Sequence, residues 1–375
     1  MSVPKVILHA VYGLGGKGAV AARALDDIRA GTLAGHEIVA VTDKVRGPLP
    51  REVTVRYGGP ETLLAALPGA AGELIRMTVV WHLLRQAARD LKPDVIVFHS
   101  SSLAWPAIAT ARRSRARAVF VVQGLIRERI EQGANPYGRA TTALYQASNV
   151  HALRHSDRVA CVSEHIASVA RAEGAASKSI RIVPNPIELE RFAAGLEGTE
   201  RDIDVLFVGT LSRDRGVDVL LEAMRSIPGD PRLVIAGDGP LKGELEEQAA
   251  EAGVPAEFLG WIAHDALPAL VARAHVQVVP SRSQPEAVVE ALATGTPVIG
   301  ARLGGIPEMV DDGETGWLVA PNDPAALRAA IREALTDRER VAAMRDRARR
   351  SVEQFSVERL AETLEAAYLD GLPAG

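Results

Sequence analysis

The stretch PSRSQPEAVVEALATGTPVIGARLGGIPEMVDDGETGWLV, Pro280 to Val319, decides the fold. It reads as a loop, a helix, a strand, a glycine turn and the start of a second helix. Small residues at Ala291, Ala293 and Gly295 let the first helix pack closely and then stop at a glycine. Thr296 and Pro297 lead into the apolar run Val298–Ile299, and Gly304-Gly305 precede Ile306-Pro307-Glu308. A strand ending in two glycines with a helix opening behind them leaves backbone N–H groups free at a helix N-terminus, a place suited to phosphate. The expectation is a phosphate-bearing ligand at the carboxyl ends of parallel strands.

Working outward, 375 residues exceed what one compact core holds, so two domains are expected. Hydrophobic residues at 47% and charged residues at 24% fit a globular chain, and a net charge of −4 argues against nucleic acid as a partner. The single cysteine, Cys161, excludes an intramolecular disulfide framework and reads as a core residue in RVACVSE. No apolar run is long enough to span a bilayer. The opening MSVPKVILHAVYG enters a strand directly, without signal-peptide features, so a cytoplasmic location is expected.

Strands and helices alternate. Val6–Val11, Ile38–Val41, Val95–Phe98, Ala118–Val122 and Arg158–Val162 read as strands, with helical segments at Lys17–Ala30 and Leu74–Lys92. The rhythm breaks at IRIVPNPIELERF, with Pro184 and Pro186, and at the polar segment Gly195–Asp202. It restarts with strands at Val205–Val208, Leu233–Ala236, Ala256–Leu259, Val276–Val279, Val298–Ile299 and Trp317–Val319. The predicted class is α/β, two Rossmann-like doubly wound domains over residues 1–185 and 186–354. A C-terminal helix over 355–375 is predicted by the spacing of Leu360, Leu364, Ala367 and Tyr368.

Gly13, Gly15 and Gly18 satisfy G-x-G-x-x-G after the first strand, and Asp43 ends the next strand, where a dinucleotide ribose acid would sit. The motif alone is weak, and a glycine turn before a helix positions any phosphate or sugar oxygen equally well. A tight turn without a ligand is the plain alternative. The stretch is not a Walker A loop, because Ala19 stands where Ser or Thr would ligate magnesium.

Several motifs in order carry a more specific signal. They are PNPI (184–187), FVGTLSRDRGVDVL (207–220), LVIAGDGP (233–240), FLGWI (258–262), VPS (279–281), VEALATGTPVIG (289–300) and GGIPEMVDDGETGWLV (304–319). The first half adds Gly15-Gly16, PDVIVFHS (93–100), VVQG (121–124) and SDRVACVSE (156–164). In this order they resemble the retaining family-4 glycosyltransferases of the GT-B fold. The resemblance implies two domains facing a central cleft, the C-terminal helix packing back on the first. A nucleotide-sugar donor would lie on the second domain and a hydroxyl acceptor, whose identity is not legible, on the first. It also implies retention of anomeric configuration with no metal and no cofactor, the nucleotide sugar being a substrate.

Residue by residue, Arg215 matches the family's phosphate-binding lysine, keeping its charge and adding a fork suited to phosphate. Thr210, after Gly209, stands where an arginine is usual, and Arg213 is the candidate replacement. Glu290 matches the second acid of a Glu-x7-Glu motif and would hold the donor ribose. Arg282 occupies the first acid's place, leaving Gln284 or Glu286 to contact the donor sugar, with Glu286 favoured. Ser281 closes the VPS turn, and main-chain groups at Gly260, Trp261 and Ile262 would read the base. In the first domain Gly15 and Gly16 would approach the sugar, Gln123 replaces a histidine common in the family, and His99 ends a strand and would face the cleft. Each has a bland counterpart: Glu286 suits the first turn of any helix, and His99 suits a satisfied strand end.

Arg112, Arg113, Arg115 and Arg117 form a basic cluster, and Leu74–Lys92 mixes Trp81, Leu83 and Leu84 with arginines. Either a peripheral membrane contact or an ordinary solvated face fits that pattern. Two rival readings stand beside sugar transfer. One is another GT-B nucleotide-sugar enzyme such as an epimerase, and the other is a non-catalytic sugar-nucleotide binder, favoured by the departures at Thr210, Gln123 and the loop before Glu290.

Overall fold

The computed structural model describes residues 4–14, 19–46, 49, 53–57, 69–125, 139–193, 199–225, 227–281 and 285–372. The chain folds as two compact units, Met1–Pro186 together with Val357–Gly375, and Ile187–Ser356.

The first unit is built on a parallel sheet of β1 (Val6–Val11), β2 (Glu37–Thr42), β3 (Thr54–Tyr57), β4 (Val95–Phe98), β5 (Arg117–Val122), β6 (Arg158–Cys161) and β7 (Ile180–Ile182). Their order is β3-β2-β1-β4-β5-β6-β7. β1, VILHAV, is apolar on both sides apart from His9, as suits a strand covered on both faces. Leu8 and Ala10 enter one core with Val80, Leu84 and Ala107 of the helices Gly69–Leu91 and Ala104–Ser114. Ile7 and Val11 enter the other with Ala24 and Ile28 of the helix Ala19–Leu33. Leu360, Leu364, Ala367 and Tyr368 join this second core, so the helix Val357–Leu364 and the π turn behind it complete the first unit. Two strands go beyond the sequence reading. β3 is short, at an edge and without a buried residue, and β7 is three residues long, so neither carries a periodic signal.

The second unit carries β8 (Ile203–Val208), β9 (Leu233–Ala236), β10 (Ala256–Gly260), β11 (Ala274–Val279), β12 (Val298–Ala301) and β13 (Gly316–Val319), all parallel. Their order is β10-β9-β8-β11-β12-β13. Both sheets therefore reverse direction beside their first strand, at β1/β4 and β8/β11. Ligands of open α/β sheets lie just outside the strand ends at such a switch point. One expectation from Pro280–Val319 is corrected here. Ile306–Glu308 is a single 3₁₀ turn and not a helix, because Pro307 and the glycines leave too few residues to propagate one. The helix-dipole argument does not apply to it.

Candidate functional site

In the second unit the chain segments at the ends of β8, β9 and β10 are stitched together through main chain. Gly209 N–H donates to Ala236 O (3.0 Å), Leu211 N–H to Asp238 O (2.9 Å) and Gly237 N–H to Gly260 O (2.8 Å). Close approach of these loops needs glycine. A Cβ at Gly237, whose φ is +147°, would stand 1.8 Å from Gly209 O. Beyond β8 a 3₁₀ turn, Arg213–Arg215, ends at Gly216 in the left-handed region. A Cβ at Gly216 would stand 2.9 Å from Pro280 O, so this glycine seats the arginine turn directly on the loop leaving β11. The predicted residues Gly209, Thr210, Arg213, Arg215 and Ser281 thus share the β8/β11 switch point. Gly260 ends β10, and Trp261 and Ile262 follow it.

Exposure divides these residues by role. Thr210, Arg213, Trp261 and Glu286 are exposed, Arg215 and Glu290 are half-buried, and Ser281 is buried. Arg215 Nε lies 3.4 Å from Asp214 Oδ2, and Asp214 in turn accepts from Ser212 Oγ at 2.7 Å. A guanidinium carries five N–H donors in a planar fork, a geometry that matches phosphate oxygens. Glu286 and Glu290 stand one turn apart on the helix Pro285–Ala293. Burial, and then Glu286, push the Glu290 carboxyl up to about 8, against the pull of Arg191. Such a carboxyl favours its charged form once hydroxyl donors reach it. Gln284 and Arg282 lie outside the described residues. Gly216 and Gly237 are not among the predicted site residues, although the G-D-G of IAGDGP is a visible signal for close backbone approach.

In the first unit Gly15 and Gly16 lie outside the described residues. Asp43 does not await a ribose. It is buried, and its Oδ1 accepts from Gly13 N–H at 2.8 Å, so it fixes the turn after β1. His99 is corrected likewise: its side chain, expected to be open to a ligand, is fully buried within the first unit. Its Nε2 lies 3.1 Å from His9 Nδ1, the rings stack, and Asp27 Oδ2 is 3.9 Å away. Burial pushes both imidazoles down to about 3, with the neighbouring His99 adding to the effect on His9 and Arg23 to that on His99. Gln123 is half-buried just past β5. Near the β4 end a buried acid passed over in the sequence, Glu73, accepts from Ser102 Oγ at 2.8 Å, and Ser102 Oγ lies 2.9 Å from Ser100 Oγ.

Among the described residues, His9, Asp27 and His99 present ligand-type atoms within 4.8 Å of one another. Asp27 is already engaged: Arg23 Nε donates to one oxygen at 2.7 Å and the Tyr368 hydroxyl to the other at 3.0 Å. A divalent cation there would sit beside a guanidinium, so the donor set fits a neutral packed network. Arg23 also donates to Val183 O (3.1 Å), Pro184 O (2.6 Å) and Asn185 Oδ1 (2.9 Å), anchoring the start of the expected linker. The acids of Asp202-Ile-Asp204 are held by arginines, Asp202 by Arg232 and Arg273 and Asp204 by Arg338.

Two family models tile the chain. Residues 20–191 match the model described as Glycosyltransferase Family 4, and residues 190–351 match Glycosyl transferases group 1. The chain thus pairs two regions, each matched to a glycosyltransferase domain family. The chain is 33% identical over 265 residues to the glycogen synthase of Mycobacterium tuberculosis H37Rv, a match covering 66% of the chain and 62% of that relative. It is 27% identical to the 2-deoxystreptamine glucosyltransferase of Streptomyces kanamyceticus over 78% of each chain. A 36% match to a D-inositol 3-phosphate glycosyltransferase of Geodermatophilus obscurus covers 52% of this chain and 48% of that one. The chain thus spans less than two thirds of the first curated relatives it matches. Among solved structures, sucrose-phosphate synthase of Thermosynechococcus elongatus superimposes with a TM-score of 0.79 at 22% identity, covering 96% of this chain and 98% of that one. Anabaena HepE in complex with UDP and glucose gives 0.76 at 18%, covering 99% and 100%. At these identities the likeness is one of fold. No described helix is long and apolar enough to cross a membrane.

Proposed function

We propose that this protein is a retaining glycosyltransferase that moves a sugar from a nucleoside-diphosphate sugar to a hydroxyl acceptor. The observation that carries the reading is the arginine turn Arg213–Arg215, seated by Gly216 on the loop leaving β11 at the sheet's switch point. The barrier in such a reaction is departure of a diphosphate from a sugar of oxocarbenium character. Fixed positive charge on the leaving phosphate is the most useful contribution a protein can make. Arg215 supplies that charge, with Arg213 as the second phosphate contact. Glu290 holds the ribose, Glu286 and Gln284 contact the sugar, and main chain at Gly260–Ile262 reads the base. The acceptor lies on the first unit, near Gly15-Gly16, Gln123 and the strand-end polar groups Ser100, Ser102 and Glu73. Charge from arginine replaces a metal. The UDP and glucose held by HepE, a protein of the same fold, support a nucleotide-sugar donor here.

The test is a thermal-shift panel of UDP-, GDP-, ADP- and TDP-sugars, followed by turnover of the best donor. A donor at about 100 times its Kd adds ~2.7 kcal/mol of apparent stability. Turnover should continue in EDTA and fall more than about tenfold in Arg215→Ala. A panel without a stabilising donor, or an undiminished Arg215→Ala enzyme, would overturn the reading.

A further inference from the structure

At the opposite end of the second sheet, where β8 and β11 begin, positive charge collects with little to balance it. Arg338, Arg345 and Arg349 are spaced by seven and four residues on the helix Arg338–Ser351, which places them on one stripe. Arg349 Nη2 donates to Thr294 O at 3.4 Å, and its guanidinium packs on Gly295, where a Cβ would meet Cζ at 2.9 Å. Arg201, two residues before β8, reaches the same loop, donating to Gly295 O (3.3 Å), to Thr296 Oγ1 (3.0 Å) and to Ala274 O. The next residue after Ala274 is His275, half-buried, whose Nδ1 is buried without a hydrogen-bond partner. Arg345 Nε is also buried without one.

Two carboxylates pair with members of this group. Asp204 takes Arg338 at 2.8 Å, and the exposed Asp346 lies 3.5 Å from Arg349. Asp202, nearby in sequence, is turned to Arg232 and Arg273. Arg201 and Arg349 have a structural use, since they cap the carbonyl end of the helix Pro285–Ala293. Arg345 and His275 have none among the described residues. The arginines are crowded enough to disturb one another. Burial, then Arg345 and Arg349, lowers Arg201 to about 10, and burial, then Arg338, lowers His275 to about 4, with Arg345 and Arg201 adding to the effect and Asp204 opposing it.

We propose that Arg338, Arg345, Arg201 and His275 form a second anion site, taking a phosphate-bearing ligand at the end of the sheet away from Arg215. Planar guanidinium forks from two elements, beside the imidazole at the start of β11, match the oxygens of a phosphate, and an anion there relieves the repulsion among the cations. Six residues of β8 separate this site from Gly209, about 20 Å of strand.

Inorganic phosphate is the probe. The His275 imidazole is followed by NMR in the full-length protein, assigned with His275→Asn, across a pH series with and without phosphate. The expected result is a rise of His275 from its depressed value by about one pH unit, as the anion cancels part of the arginine field. That response should survive Arg215→Gln, which disables only the donor-phosphate contact. It should require at least about fivefold more phosphate in Arg345→Gln, with Arg338→Gln as a second, more exposed probe. An unmoved His275 at 50-fold excess over the protein and upward to about 50 mM, or a response lost in Arg215→Gln and kept in Arg345→Gln, would overturn the site.

Discussion

Glu290 illustrates how a single side chain can report on binding. Its carboxyl is pushed up to about 8 by burial and by Glu286, so at pH 7 the ligand-free protein holds it largely protonated. Two ribose hydroxyls donating to it would favour the charged form and expel the proton. The sign follows: nucleotide binding releases protons below about pH 8, and affinity climbs as pH rises toward that value. Calorimetry of nucleoside diphosphate in buffers of different ionisation enthalpy should register up to about one proton released, an effect absent in Glu290→Gln. Glu290→Ala should weaken the nucleotide roughly ten- to a hundredfold. Unchanged affinity with no proton release would return Glu290 to a structural part of its helix. His9 and His99 show the opposite displacement. Both are held near 3 when folded, against about 6.5 when unfolded. Between those values the unfolded chain binds more protons, so the stability they contribute is present above about pH 6.5 and is lost as pH falls toward 3. Each ring adds a slope approaching about 1.4 kcal/mol per pH unit. Urea unfolding between pH 7 and pH 5 should show that loss and show it reduced in His99→Gln. Equal slopes in the two proteins would argue that the pair is charged or solvated.

At the level of elements, loops carry the site and glycines set their spacing. Gly237→Ala would bring a methyl group 1.8 Å from Gly209 O at a backbone angle that L residues rarely adopt. The expected loss is about 1–3 kcal/mol or more of stability, together with donor binding, since the β8 and β9 loops must part. Equilibrium unfolding and the donor thermal shift measure both, and a variant unchanged in each would show that the loops tolerate separation. The same geometry explains what the sequence made legible. Long apolar strands such as Val6–Val11 and Val205–Val208 announce themselves, because burial on both faces demands a run of apolar residues. β3, half solvated at an edge, does not. Arg215 and Glu290 are named in the sequence only through the resemblance, whose motifs fix their places; composition and periodicity alone do not single them out. His99 was misplaced because a residue after a strand reads the same whether its ring turns outward or under the sheet. His9 and Asp27, from distant parts of the chain, decide it.

Over the whole molecule, the first unit is assembled from both ends of the chain. Its second core includes Leu360, Leu364, Ala367 and Tyr368 beside Ile7, Val11 and Ile28, and Arg117 donates to Tyr368 O at 2.8 Å. Ending the chain at Ser356 removes those side chains and the hydroxyl partner of Asp27 while leaving every proposed donor contact in place. Deleting one buried leucine side chain costs about 2–5 kcal/mol, so this truncation should abolish or deeply destabilise the first unit's transition in calorimetry. An unshifted transition would show that the last helix is dispensable. That arrangement also bears on how the protein is made. β1 and the helix Ala19–Leu33 leave the ribosome early, yet the helix that covers them is encoded more than 320 residues later. At about 5–20 residues per second, the apolar face of the first sheet waits roughly 15–65 seconds for its cover. The second unit, Ile187–Ser356, is continuous and can finish before the first. The half that begins synthesis first is therefore the half that matures last, and during that interval its uncovered face is the part of the nascent chain most in need of a chaperone.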